Sequence, residues 1–195
     1  MKRILLAIAL IVSIGTTMQA QLIKEKQPVD PHYLTGAVSV VDGMVTFTHD
    51  IDLPQSYTEA EAYQAVKHCL GKYFQREEVL RRKTLQRDSA QHLIEVGIVE
   101  YITFKDQLLV LDRSQMIYSL TIHCVDRKCH VTMTNISYYY EEERDPIKYT
   151  AEEWIIDSEA LNKKKDGLSR QSGKFRVKTI DAFDAICRSI EETLR

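Results

Sequence analysis

The stretch Ile117-Tyr118-Ser119-Leu120-Thr121-Ile122-His123-Cys124-Val125-Asp126-Arg127-Lys128-Cys129-His130-Val131-Thr132-Met133 alternates apolar and polar side chains on both sides of Asp126-Arg127. Such a period of two on either side of a polar pair predicts two antiparallel strands joined by a tight turn. With Asp126-Arg127 as a two-residue loop, Val125 faces Lys128, Cys124 faces Cys129 and His123 faces His130. Leu120, Ile122, Cys124, Cys129, Val131 and Met133 then share one face, while Thr121, His123, His130 and Thr132 share the other. One apolar and one wetter face is the signature of an antiparallel sheet covered on one side.

Working outward, Val38 to Val41 and Met44 to Ile51 read as a second hairpin around Asp42-Gly43, a dipeptide that accepts positive φ at both central positions. Its second strand puts Val45, Phe47, His49 and Ile51 on one face. Leu80 to Arg87, Leu93 to Phe104, Leu108 to Leu111, Ile117 to Val125 and Cys129 to Tyr140 are the remaining candidate strands. The charged run from Glu141 to Lys148, with Pro146, predicts the end of the sheet.

Two helices complete the pattern. Thr58 followed by Glu61 has capping-box spacing, and Tyr63, Val66, Leu70 and Tyr73 or Phe74 form the buried stripe behind it. At the other end of the chain Ile180, Phe183, Ile186, Cys187, Ile190 and Leu194 form a second stripe, with Glu191 and Glu192 turned outward. Thr150 to Ile156 predicts a short helix, and Asn162 to Lys174 a cation-rich loop. Strands, helix, strands, helix in that order predict an α+β fold, a twisted antiparallel sheet with the two main helices packed on one face.

Several of these segments together resemble a known family. Asp42-Gly43-Met44-Val45-Thr46-Phe47, the helix through Tyr73-Phe74, the hairpin from Tyr118 to Ile136, Ala151-Glu152-Glu153-Trp154-Ile155 and Lys174-Phe175-Arg176-Val177-Lys178-Thr179-Ile180-Asp181 are similar to a family of exported Bacteroidetes domains of unknown function. The resemblance runs over residues 36–195 and implies a TATA-binding-protein-like (TBP-like) fold in a Gram-negative host. It brings no catalytic residues, and a fold shared with a DNA-binding protein does not by itself carry function.

The N-terminus predicts the compartment. Met1-Lys2-Arg3, the apolar run Ile4 to Ile14 and Met18-Gln19-Ala20 follow the three-part pattern of a secretory signal cleaved after Ala20. Gln21 to Gly36, with Pro28 and Pro31, reads as a linker, leaving 37–195 as one domain. The apolar run is shorter than the roughly 20 residues a membrane span needs, so no transmembrane segment is expected after cleavage, and the expected location is periplasmic or secreted. Removing Lys2 and Arg3 leaves 24 of the 26 basic residues against 28 acidic ones, a net charge of −4. That balance disfavours nucleic acid as a partner.

Chemistry-bearing residues are scattered. An oxidising compartment permits disulfides, and the cross-strand placement of Cys124 and Cys129 suits either a bridge or two packed thiols. A bridge closing so short a loop adds only about 2 kcal/mol on the chain-entropy model. Cys69 and Cys187 lie on the two helices, where both bridging and packing are open. The run from His123 to His130 looks like a metal box, yet alternation sends its histidines and cysteines to opposite faces; His123 and His130 would need ligands from elsewhere.

His49 and Glu100 each interrupt an apolar strand face. Pointing inward they could pair, whereas a bulge near Gly97 would turn Glu100 to solvent and an edge position would free His49. Tyr138, Tyr139 and Tyr140 are candidates for an aromatic platform. Lys163, Lys164, Lys165, Arg170, Lys174, Arg176 and Lys178 form a basic segment suited to anionic glycans or lipid headgroups, or to solvent. Asp50 and Asp52 share a strand face. No phosphate loop, nucleophile elbow or zinc-protease motif is present, and no cofactor is expected. The expected function is a non-enzymatic binding or cell-envelope accessory module, its partner an envelope protein, a glycan or a small ligand. A hydrolase or metal-dependent enzyme built from His49, Glu100, His123 and His130 is the first alternative, and a structural subunit of an envelope assembly the second.

Overall fold

The structure, a computed structural model, describes residues 28–107, 110–140 and 146–195. The stretch read as an export signal and the first part of the linker lie outside these residues, as do 108–109 and 141–145. The strands are β1 (Ser39–Val41), β2 (Met44–Asp52), β3 (Val79–Asp88), β4 (Leu93–Gln107), β5 (Val110–Val125), β6 (Lys128–Tyr140) and β7 (Ile147–Thr150). The helices are α1 (Glu59–Tyr73), α2 (Ala151–Trp154), α3 (Asp157–Ala160) and α4 (Ser172–Leu194). All seven strands form one antiparallel sheet in the order β1-β2-β6-β5-β4-β3, with β7 also on β6.

The central hairpin has the register its alternation predicts. Cys124 pairs with Cys129 and His123 with His130, and Asp126 and Arg127 both take positive φ, 51° and 62°. Arginine is an unusual residue for that conformation. Its side chain offsets the strain: the guanidinium donates to the carbonyls of Leu53, Pro54 and Tyr57, tying the turn to the β2–α1 connection. The Asp42-Gly43 turn likewise has φ of 50° and 79°.

Helices α1 and α4 lie on the apolar sheet face. Thr58 and Glu61 form the expected capping box of α1. Buried Val66, Leu70, Phe183, Ile186 and Ile190 meet Val45, Ile98, Leu120, Ile122, Val131 and Met133 in one continuous core.

Three segments differ from their sequence reading. Residues 112–116 are not a turn: β5 runs unbroken from Val110, because Asp112 to Met116 pair with β4 on one side and Ser114 onward with β6 on the other. The sheet does not end before Lys148 either, since Ile147–Thr150 adds to β6, using the edge that β2 leaves free at that end. Finally, α4 begins at Ser172, inside the stretch read as a loop.

Part of the linker is docked. Pro31–Tyr33 form a 3-10 turn on α4, where the Tyr33 hydroxyl donates to Asp181 at 2.8 Å and His32 meets Asp184 at 2.7 Å. The Asp181 carboxylate, with burial, raises the Tyr33 phenol to about 12. Arg176, fully buried on α4, donates to the carbonyls of Tyr33 (2.7 Å), Leu34 (2.6 Å) and Ile155 (2.8 Å) and to the Asp157 carboxylate (2.7 Å).

Candidate functional site

Of the two polar residues that interrupt apolar strand faces, only Glu100 points inward. It is 2% exposed and sits between Tyr73 of α1 and Tyr118 of β5. The Tyr118 hydroxyl donates to it at 2.9 Å, and the Tyr73 hydroxyl at 3.1 Å. No bulge near Gly97 turns it outward, because β4 pairs with β5 without interruption from Leu93 to Thr103. Burial pushes the Glu100 carboxyl above its ordinary range, and the two tyrosine hydrogen bonds offset only part of that. His49 does not reach it. The imidazole lies over Glu191 of α4 at 2.8 Å and is largely exposed, since β2 is displaced from β4 by two intervening strands.

A raised acid binds its proton in the fold at pH values where the unfolded chain has released it, so it weakens the fold as pH rises from the unfolded pKa, about 4.3, through the folded value. Glu100→Gln keeps the tyrosine contacts and removes the charge. The expected result is a more stable fold at neutral pH, with little change at pH 4, read as melting temperature against pH.

Among the described residues no helix covers the opposite face of the sheet. His123 and His130 pair across it, and His130 Nδ1 meets Asp50 at 2.7 Å, with the Lys128 ammonium 3.6 Å from the same carboxylate. His130, by its hydrogen bond, holds Asp50 below the ordinary carboxylate range. Among the described residues no three His, Cys, Asp or Glu side chains are placed to hold a metal ion. His49, Glu100, His123 and His130 do not converge: Glu100 is under the helices, His49 is at their rim, and the other two are on the far face.

Further along this open face lies a groove of about 510 Å3. Gly97 makes its floor, flanked by Val99 and its cross-strand partner Ile117. Leu85 leans over that bare glycine from the β3 bulge, 3.8 Å from where a Cβ would sit, and is 47% exposed. Arg81 and Lys83 form one rim, and Ser119 with Asn135 the other. The sequence reading missed this groove, because a bulge in β3 and a glycine in β4 become a concavity only once the strands are paired.

The tyrosine run is not a platform. Tyr138 is fully buried and bonded to Thr179 at 2.7 Å, Tyr140 donates to Asp112 at 2.8 Å, and only Tyr139 is exposed. The basic segment is likewise divided: Arg176 is buried, Lys174 is paired with Asp112 at 2.7 Å, and Lys163, Lys164, Lys165 and Arg170 remain exposed.

Cys124 and Cys129 are joined as a disulfide, with their Cα atoms 4.0 Å apart. Cys69 and Cys187 are free and buried, and burial raises the Cys187 thiol to about 12, far from a reactive thiolate. Reduction is expected to lower stability by about 2 kcal/mol, because the bridge closes a very short loop. Calorimetry with and without reductant measures this, and thiol titration of the denatured, oxidised protein should count only Cys69 and Cys187.

Comparison with known proteins agrees with this architecture. Residues 47–139 match the family described as "Domain of unknown function (DUF4468) with TBP-like fold". A crystal structure of a DUF4468 family protein from Bacteroides ovatus is 32% identical, with a TM-score of 0.76, over 85% of this chain and 95% of that one. A TBP-like protein from Parabacteroides distasonis, 15% identical, shares the fold with a TM-score of 0.63 over 80% of this chain and 96% of its own. No curated protein matches. A relative of that identity, aligned over nearly its whole length, shows that the chain belongs to the DUF4468 family and has its TBP-like fold.

Proposed function

We propose that this protein is a non-enzymatic binding module of the cell envelope, exported by its N-terminal signal, and that the open face of the sheet receives the ligand. The groove over Gly97 carries this reading. An exposed apolar concavity of about 510 Å3 with a few polar groups at its rim has the size and make-up of a small-molecule site. Helices occupy the other sheet face, so the groove is rigidly backed and preformed. The reading favours a small apolar ligand over catalysis, since His49, Glu100, His123 and His130 do not line the groove, whose charged groups are the rim cations Arg81, Arg82 and Lys83.

Native mass spectrometry of the protein recovered from an oxidising bacterial envelope tests it. The expected result is a chain that starts near Gln21 and carries a small ligand, which is lost in Ile117→Glu. His49→Ala, Glu100→Gln, His123→Ala and His130→Ala should retain it. A bare chain in every case, or a ligand indifferent to Ile117→Glu, overturns the assignment, and a turnover abolished by one of the other four replacements would establish an enzyme instead.

A further inference from the structure

A second cavity, of about 270 Å3, lies on the other side of β3, beneath the flank of α1. Its rim carries three cations: Lys67 from α1, and Arg82 and Arg87 from β3. Among the described residues none of the three makes an ion pair or a side-chain hydrogen bond, and no carboxylate lines the cavity. Arg82 lies instead over the Phe74 ring, 5.2 Å from its centre, which holds the guanidinium at the mouth. Thr84 adds a hydroxyl, and Ile94 and Val96 make an apolar floor.

Gly71 supplies an independent observation. It sits in the last turn of α1 and lines the cavity, with no positive φ to require glycine and nothing within 4 Å of where a Cβ would stand. Glycine inside a helix costs about 1 kcal/mol relative to alanine. Neither backbone conformation nor close packing accounts for that cost here; an unobstructed cavity does. Cations on an edge strand discourage strand-to-strand aggregation, and that explains Arg81 and Lys83. It does not explain Lys67, which is on the helix, or the bare Gly71.

We infer that the cavity between α1 and β3 binds a small organic oxyanion, a phosphate, sulfate or carboxylate borne on an apolar body. Three cations facing one space repel each other, and an anion between them relieves that repulsion while the floor takes the apolar part. Arg82 also lines the open-face groove across β3, but Lys67, Gly71 and Arg87 belong to this cavity alone, so variants at those positions test it apart from the groove.

Phenyl phosphate is the probe, with inorganic phosphate and phenol as its two halves, measured by calorimetric titration at low salt. Phenyl phosphate is expected to bind more tightly than either half and to weaken as salt is raised. Arg87→Gln should weaken it at least tenfold. Gly71→Leu fills the cavity from a helical position with open space around it, and should abolish binding while leaving the melting temperature unchanged or higher. Absence of binding at millimolar phenyl phosphate, or binding unaffected by Arg87→Gln, overturns the proposal. Where Gly71→Leu fails to fold, Arg87→Gln decides alone, because Arg87 is exposed and holds no other side chain in place. Inorganic phosphate binding as tightly as phenyl phosphate would exclude the apolar subsite and overturn the proposal as stated.

Discussion

Arg176→Ala is expected to cost about 3–5 kcal/mol, the range for breaking a buried charged cluster by removing one partner. The guanidinium is fully buried and holds together three pieces of chain distant in sequence: the 3-10 turn at Tyr33-Leu34, the α2–α3 corner at Ile155 and Asp157, and α4 itself. Its loss leaves three carbonyls and a carboxylate facing a space that no neighbour fills. Against a typical total stability of about 5–15 kcal/mol, that is a large fraction. Thermal unfolding should register a drop on the order of 10 °C. Hydrogen exchange should accelerate first at Leu34 and Ala37, whose amides close the docked turn. Arg176→Lys should rescue little, because a single ammonium cannot reach carbonyls on opposite sides of a planar fork. A loss below about 1 kcal/mol would mean that water replaces the guanidinium, and would overturn this account.

Phe175→Ala is the second large effect, again about 3–5 kcal/mol. The ring is 1% exposed and stands at the centre of an aromatic cluster, 4.6 Å from Phe104, 5.1 Å from Tyr138, 5.4 Å from Tyr140 and 5.9 Å from Trp154. Tyr149 stacks on the far side of Trp154 at 3.9 Å, so the cluster reaches from β4 to β7. Truncation opens a cavity whose aromatic walls belong to three other elements, β4, β6 and α2, and cannot collapse together, which puts the cost at the upper part of the range. Denaturant unfolding followed by tryptophan fluorescence reports both stability and the environment of Trp154. Phe175→Leu should recover more than half of the loss. The double replacement with Arg176→Ala should cost less than the sum of the two, since both loosen the same corner.

Those two residues also mark where sequence reasoning stops. The hairpins at Asp42-Gly43 and Asp126-Arg127, the capping box at Thr58 and the stripe from Ile180 to Leu194 were legible because each is a local pattern within a few residues. Glu100 was legible as an anomaly but not as a solution: its partners Tyr73 and Tyr118 lie on a helix and a neighbouring strand, and no spacing in the chain announces them. Arg176 sat in a run of cations and looked solvated, because backbone carbonyls from residues far away leave no trace in a pattern of side chains. The strand β7 was hidden by Pro146 and by charged neighbours, although the edge of β6 that it occupies is set by how far β2 extends. The groove over Gly97 and the cavity beside Gly71 both depend on a missing side chain meeting a displaced strand.

The clasp at Arg127 bears on the order in which the chain assembles. The β5–β6 hairpin closes over two residues, as short a link as any between strands of the sheet, and so incurs little loop entropy. Only when that turn has formed are Asp126 and Arg127 placed to present a guanidinium to Leu53, Pro54 and Tyr57. Those three carbonyls lie immediately before α1, and Glu59 in its first turn accepts from the Arg127 amide. The hairpin thereby acts as a template: it sets where β2 stops, from which direction the chain enters α1, and over which strands the helix comes to rest.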